Sequence, residues 1–143
     1  MDRFSVWMVR TSLVHLLAGL GLGGVLLANV GLGVPLRLPP LGTAHAHLLF
    51  VGWLLQFALG IAYWLLPRRR SADNPLAYSE PLAFLAYALL NIGLIGRVIG
   101  EPLVAAGVMV VGWLLVLSAA LQTVAGAIFV AQLWRRARGR SPS

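Results

Sequence analysis

Four stretches of this chain carry almost no charge, run for roughly the length of a membrane helix, and are separated by proline, glycine and arginine. A hydrocarbon core takes about 20 apolar residues per helix. Inside lipid every backbone polar group must find its partner within the protein, which for runs of this length means helix. The runs extend from about Thr11 to Val34, Ala44 to Leu66, Pro81 to Ile99 and Leu103 to Trp134. They predict an all-α integral membrane protein, a four-transmembrane-helix bundle in a single domain over residues 1–143. The composition agrees: 59% of residues are hydrophobic and only 10% charged, against about a quarter charged in soluble domains. The mean hydropathy is +0.87.

The breaks between runs define the connections. Pro35, Pro39 and Pro40, with Gly31, Gly33 and Gly42, interrupt the chain between helices one and two. Pro67-Arg68-Arg69-Arg70 ends helix two, and Ser71-Ala72-Asp73-Asn74-Pro75 is a polar loop. Gly100-Glu101-Pro102 predicts a tight turn between helices three and four. Short loops make neighbouring helices antiparallel.

The net charge of +7 comes from eleven arginines and no lysine. They cluster at helix ends, which reads as topology signals beside anionic lipid rather than a nucleic-acid surface. Arg3, Arg10, Arg68, Arg69, Arg70, Arg135, Arg136, Arg138 and Arg140 fall on one side, and Arg37 and Arg97 on the other. The positive-inside rule then makes both termini cytoplasmic and puts the start of helix two near the outer face of a bacterial or archaeal inner membrane. Helix one reads as a retained span rather than a cleaved signal, because its apolar run is too long and no small-residue cleavage site follows. Within it, Gly19 and Gly23 form a small-xxx-small pair that admits a second helix at close range.

With no cysteine, disulfides, thiolate metal sites and covalent c-type heme are excluded. The chemistry falls to histidine. His45 and His47 sit two residues apart at the mouth of helix two, and an ionisable group in a span is a functional-site hypothesis. Positions i and i+2 of a helix stand about 200° apart, so the two rings face opposite flanks. They suit two separate cofactor sites better than one chelate, the competing reading being two interfacial residues bonded to headgroups, loops or water. His15 lies on helix one at a depth ~10 Å or more away. That makes it a poor partner for either ring and a better donor to a backbone carbonyl. If a heme iron here has two histidine ligands, the second then comes from another chain. Met109, about six residues into helix four, is the one competitor as an axial ligand.

Arg97 could pair with Glu101, four residues on, snorkel to the interface, or meet the carboxylates of a heme. Arg37 is a weaker candidate of the same kind. Gln56, Asn91, Ser118, Gln122 and Thr123 read as interhelical hydrogen bonds. Trp64 and Trp134 read as interface anchors, with Trp53 and Trp113 deeper. Nothing supports a hydrolase.

His45-Ala46-His47-Leu48-Leu49, Gly52-Trp53-Leu54-Leu55-Gln56 and Gly60-Ile61-Ala62-Tyr63-Trp64-Leu65-Leu66-Pro67 together resemble helix two of the heme-copper oxidase superfamily, the nitric oxide reductase branch in particular. Ala86-Tyr87 and Leu94-Ile95-Gly96-Arg97-Val98 are similar to the C-terminal part of the NnrS family of heme-containing membrane proteins. The resemblance implies heme b held by His45 and His47, with Arg97 near the propionates. The superfamily's catalytic subunits have about twelve helices in three four-helix arcs, and the last arc carries a His-x-His pair whose rings serve two hemes. The resemblance therefore implies a homotrimer, in preference to a dimer, that rebuilds the ring, with each heme between His45 of one subunit and His47 of the next. The additional histidines of a copper or non-heme iron centre are absent from helices three and four. The implied activity is electron transfer by a membrane b-type cytochrome serving a respiratory complex or another electron-transfer partner. The alternatives are an accessory or assembly subunit of a respiratory oxidase or nitric oxide reductase, or a heme or nitric oxide sensor.

Overall fold

A computed structural model describes residues 1–33, 40–66 and 79–137. Among the described residues there is no strand. Four long helices follow one another: α1 (Arg3–Gly31), α2 (Gly42–Leu65), α3 (Glu80–Ala105) and α4 (Gly112–Arg136), the last entered through a single 3₁₀ turn, Met109–Val111. All four are long and apolar enough to cross a membrane. Arg37, Pro67, the arginines at 68–70, the loop at 71–75, Arg138 and Arg140 lie outside the described residues.

Capping decides where α1 and α3 begin. The Asp2 carboxylate accepts from the Ser5 N–H at 2.7 Å, satisfying one of the orphan donors of a helix start. The helix therefore begins at Arg3 rather than at the first apolar run near Thr11, and Arg3 and Arg10 lie on α1 instead of preceding it. Ser79 does the same for α3 by accepting from the Leu82 N–H at 3.4 Å. Pro81 occupies the first turn, where its missing N–H costs nothing.

The α3–α4 connection corrects the sequence reading. Gly100, Glu101 and Pro102 are not a turn; they lie within α3, and helix four does not begin at Leu103. The reversal comes at Ala106-Gly107-Val108. Gly107 adopts a φ of +93°, its N–H bonds the Val104 carbonyl, and the Val108 N–H bonds the Leu103 carbonyl, each at 2.9 Å. That pair of bonds is the Schellman motif, which needs a residue free to enter the left-handed region. Continuing the helix past Gly100 buries Gly100 and Pro102. Gly100 lies so close to α4 that an added Cβ would come within 2.8 Å of Leu115.

Glycine sets most helix contacts. Gly19 abuts Leu49, Gly23 abuts the His45 ring, and Gly60 abuts Met8, which draws α1 onto α2. Gly93 and Gly96 abut Gln122 and Ser118, which draws α3 onto α4. The small-xxx-small pair of α1 is therefore a contact with α2. The four helices form an open arc: α1 packs on α2, α2 on α3, and α3 on α4, while no Cα of α1 lies within 8 Å of one in α4.

The hydrophobic core sits at the end of the bundle that holds the termini. Phe4, Met8, Tyr63, Ala83, Ala86, Leu90, Ala125 and Phe129 are buried together. The Phe4 ring stands edge-on to Tyr63 and Phe84 at 4.8 and 5.2 Å, and Tyr63 stands 5.9 Å from Phe129, within the favourable range for such pairs. Arg136 closes this end. Its buried guanidinium donates to the Tyr63 carbonyl at 2.8 Å and to the Leu66 carbonyl, and lies 5.1 Å over the Tyr63 ring. It thereby caps the last carbonyls of α2. Read from sequence as a topology arginine, it is a packed structural residue.

Candidate functional site

The opposite end of the bundle carries the histidine pair. α2 opens as an ordinary α-helix over Gly42–His47, then runs as π-helix from Leu48 to Leu55, and returns to α-helix over Gln56–Leu65. The wider turn comes from i→i+5 bonding, a departure frequent at functional sites. It changes which residues of α2 line up. In an α-helix every fourth residue drifts about 40° around the axis; in a π-turn the same step falls short of a full turn. The two drifts oppose each other along α2, so His47, Val51, Leu55 and Leu59 share one stripe facing α3 and α4.

His45 and His47 face apart, as their spacing requires. His45 turns toward α1, where its Nδ1 donates to the Gly19 carbonyl at 2.8 Å and its ring rests against Gly23. His47 turns toward α3. Its Nδ1 donates to the Thr43 carbonyl at 2.8 Å and stands 3.5 Å from Glu101 Oε2. Both rings are partly buried. With Nδ1–H committed to a backbone carbonyl, Nε2 is the ring nitrogen each histidine has left for another partner. Neither Nε2 makes a hydrogen bond among the described residues. A carbonyl holding the far nitrogen is how proteins orient imidazole toward a metal.

His15 is apart from them. Its Nδ1 bonds the Gly52 carbonyl at 3.2 Å, and its ring packs so tightly there that a Cβ on Gly52 would come within 2.8 Å of it. Gly52 is seven residues along α2 from His45, ~10 Å by helical rise. His15 is an interhelical tie, in keeping with the depth argument. Met109 moves the other way: it opens the 3₁₀ turn and is 71% exposed, so it does not stand six residues inside a helix. Trp113 is likewise near the start of α4 and exposed, not deep.

Arg97 and Glu101 meet on α3, Nε to Oε1 at 2.5 Å. Glu101 therefore bridges Arg97 and His47, and its Oε2 is buried without a hydrogen bond. Arg97 keeps its two Nη groups without a partner among the described residues. Its side chain lines the outer part of a cleft of about 350 Å³ between α2, α3 and α4. No group of three or more His, Cys, Asp or Glu that could cage a metal ion occurs among the described residues.

The polar residues inside the helices divide differently from expectation. Gln56 bonds across to the Met8 carbonyl at 3.3 Å. Asn91 and Thr123 bond carbonyls of their own helices, Tyr87 and Ala119, each at 2.8 Å. An interhelical tie that hydropathy alone does not flag joins Thr11 Oγ1 to the Tyr87 hydroxyl at 2.7 Å.

No protein-family model, no curated protein and no solved structure matches this chain. A functional reading therefore rests on the motif and on the geometry above.

Proposed function

We propose that this chain is a multi-pass membrane b-type cytochrome with cytoplasmic termini, carrying electrons through heme held by His45 and His47. The observation that carries the reading is the placement of the two rings: opposite flanks of one turn, each with Nδ1 tied to a carbonyl and Nε2 making no hydrogen bond among the described residues. Bound there, heme would supply a one-electron couple, and ligation by two histidines would suit it to electron transfer rather than gas chemistry.

Opposite-facing rings cannot close on one iron, so each is completed by a neighbouring subunit. The open arc supports this. One copy's free α1 flank can meet another copy's free α4 flank, and three such arcs make a twelve-helix ring. Arg97 is the residue of this chain suited to the heme carboxylates: it stands on α3 beside the His47 flank with its Nη donors unspent, while Glu101 fixes its Nε.

The decisive experiment is a heme-to-protein ratio with native mass in detergent, read beside the reduced-minus-oxidised spectrum. One heme per chain in a trimer, with a spectrum unmoved by carbon monoxide, is the expected result. A purified chain without a Soret band overturns the reading, as does full heme retention in a His45→Ala, His47→Ala double variant.

A further inference from the structure

We infer that a groove on the outer face of α1, between Trp7 and Val14, binds an anionic phospholipid by its phosphate. The inference rests on the chain spanning a membrane and not on heme, because His45 and His47 lie at the other end of the bundle.

The groove holds about 240 Å³ and is lined by Trp7, Arg10, Thr11 and Val14. Positions i, i+3, i+4 and i+7 of a helix fall within an arc of about 100°, so these four share one face. That face is turned away from Gly19 and Gly23, which rest on α2. Trp7, Arg10 and Val14 are exposed. Thr11 is held by the Tyr87 hydroxyl of α3 at 2.7 Å, which fixes one wall and leaves Arg10 as the donor with capacity to spare.

Charge narrows the occupant. Arg10 makes no hydrogen bond or ion pair among the described residues. The chain has eleven Lys or Arg against four Asp or Glu. Asp2 caps α1, and Glu101 pairs with Arg97 near the opposite end. A second copy of the chain would bring the same surplus of arginine. The occupant therefore carries negative charge of its own.

Depth narrows it further. Phe4 meets Tyr63 and Phe84, close to the end of α2 and the start of α3, so these three helices share one terminal level. Arg10 is seven residues, ~10 Å by helical rise, from the start of α1. Side chains on a helix lean toward its N-terminus, which carries the guanidinium back toward headgroup level. Trp7, one turn nearer the terminus, is of the type that settles at that interface, and Val14, one turn deeper, faces acyl chains. A soluble anion has no tail to lay on Val14. A zwitterionic phospholipid carries its own cation and leaves the positive charge of Arg10 in excess, whereas a phosphodiester without one cancels it.

The test uses the full chain, purified and delipidated in detergent, with bound lipid counted by native mass spectrometry and heme content read on the same sample. One dioleoylphosphatidylglycerol per chain should bind saturably, about tenfold tighter than dioleoylphosphatidylcholine, and excess inorganic phosphate should not displace it. Arg10→Gln should lower phosphatidylglycerol affinity about tenfold with helical circular dichroism unchanged, since Arg10 makes no bond within the bundle. Arg3→Gln removes the same charge from α1 outside the groove and should change affinity less than about twofold. Equal affinity for the two lipids, displacement by inorganic phosphate, unchanged binding in Arg10→Gln, or an equal loss in Arg3→Gln overturns the proposal. A heme-free chain that still binds phosphatidylglycerol through Arg10 would strike the cytochrome reading alone, and a heme-loaded chain indifferent to the lipid would strike this one alone.

Discussion

Gly23 and Gly24 are adjacent on α1, and alanine at the two positions should have opposite effects. A Cβ at Gly23 would lie 2.6 Å from His45 Cε1 and 3.1 Å from Nδ1, whereas a Cβ at Gly24 meets nothing within 4 Å. At both sites the substitution gains about 1 kcal/mol of helix propensity. At Gly24 that gain stands alone, and the variant should be more stable by up to about 1 kcal/mol. At Gly23 the ring must move. Overpacking a tight contact costs about 1–3 kcal/mol, and displacing Nδ1 from the Gly19 carbonyl costs about 1 kcal/mol more. The net for Gly23→Ala is a destabilisation of about 1–3 kcal/mol. Reversible unfolding in mixed micelles with increasing sodium dodecyl sulfate, followed by helical circular dichroism, measures both. If His45 holds heme as proposed, heme content should fall in Gly23→Ala and hold in Gly24→Ala. Equal shifts in the two variants would refute the placement of His45 against α1.

Other substitutions probe the bundle elsewhere, in the same unfolding assay. Arg136→Met removes two charge-assisted bonds to the end of α2 and should cost about 3 kcal/mol. Gly52→Ala drives a Cβ to 2.8 Å from both His15 and Leu94 and should cost about 1–3 kcal/mol. Gln56→Met should be close to neutral, within about 1 kcal/mol, because Gln56 makes one long bond at 3.3 Å while its buried Oε1 has no partner. Gly107→Ala puts a side chain on a backbone held at φ +93° and should cost about 1 kcal/mol or more, seen as earlier unfolding.

The four helices were legible because lipid-length apolar runs leave few alternatives. Their starts were less so, since hydropathy begins where charge ends while the chain begins its helix where a side chain can cap it; Asp2 and Ser79 carried that signal three residues ahead of Ser5 and Leu82. Gly100-Glu101-Pro102 has turn chemistry, yet packing on Leu115 outweighs it, and the turn falls to Gly107. The opposite facing of His45 and His47 followed from helical spacing alone, while the Arg97–Glu101 pair was one of three readings that spacing allowed. The direction each ring takes did not, because it depends on where a neighbouring helix lacks a side chain. Arg136 was misread for a similar reason: charge near a helix end is ordinary, and only the packing of Tyr63 beneath it shows that it is buried. The cleft needed three helices in place at once, and no local pattern announces it.

The π-segment of α2 has a consequence for how the two ends of the molecule are coupled. It carries surplus chain between the aromatic packing around Tyr63 and the histidine pair, and its wider turns take that surplus up. Removing one residue from Leu48–Leu55 would take away about 100° of rotation, and relaxation of the remaining residues to the tighter α-turn would restore most of it. His45 and His47 would keep roughly their bearings relative to Tyr63, one on the glycine face of α1 and the other beside Glu101. The bearing of the imidazoles is thus buffered: α2 can lose a residue in this stretch without swinging either ring off its flank.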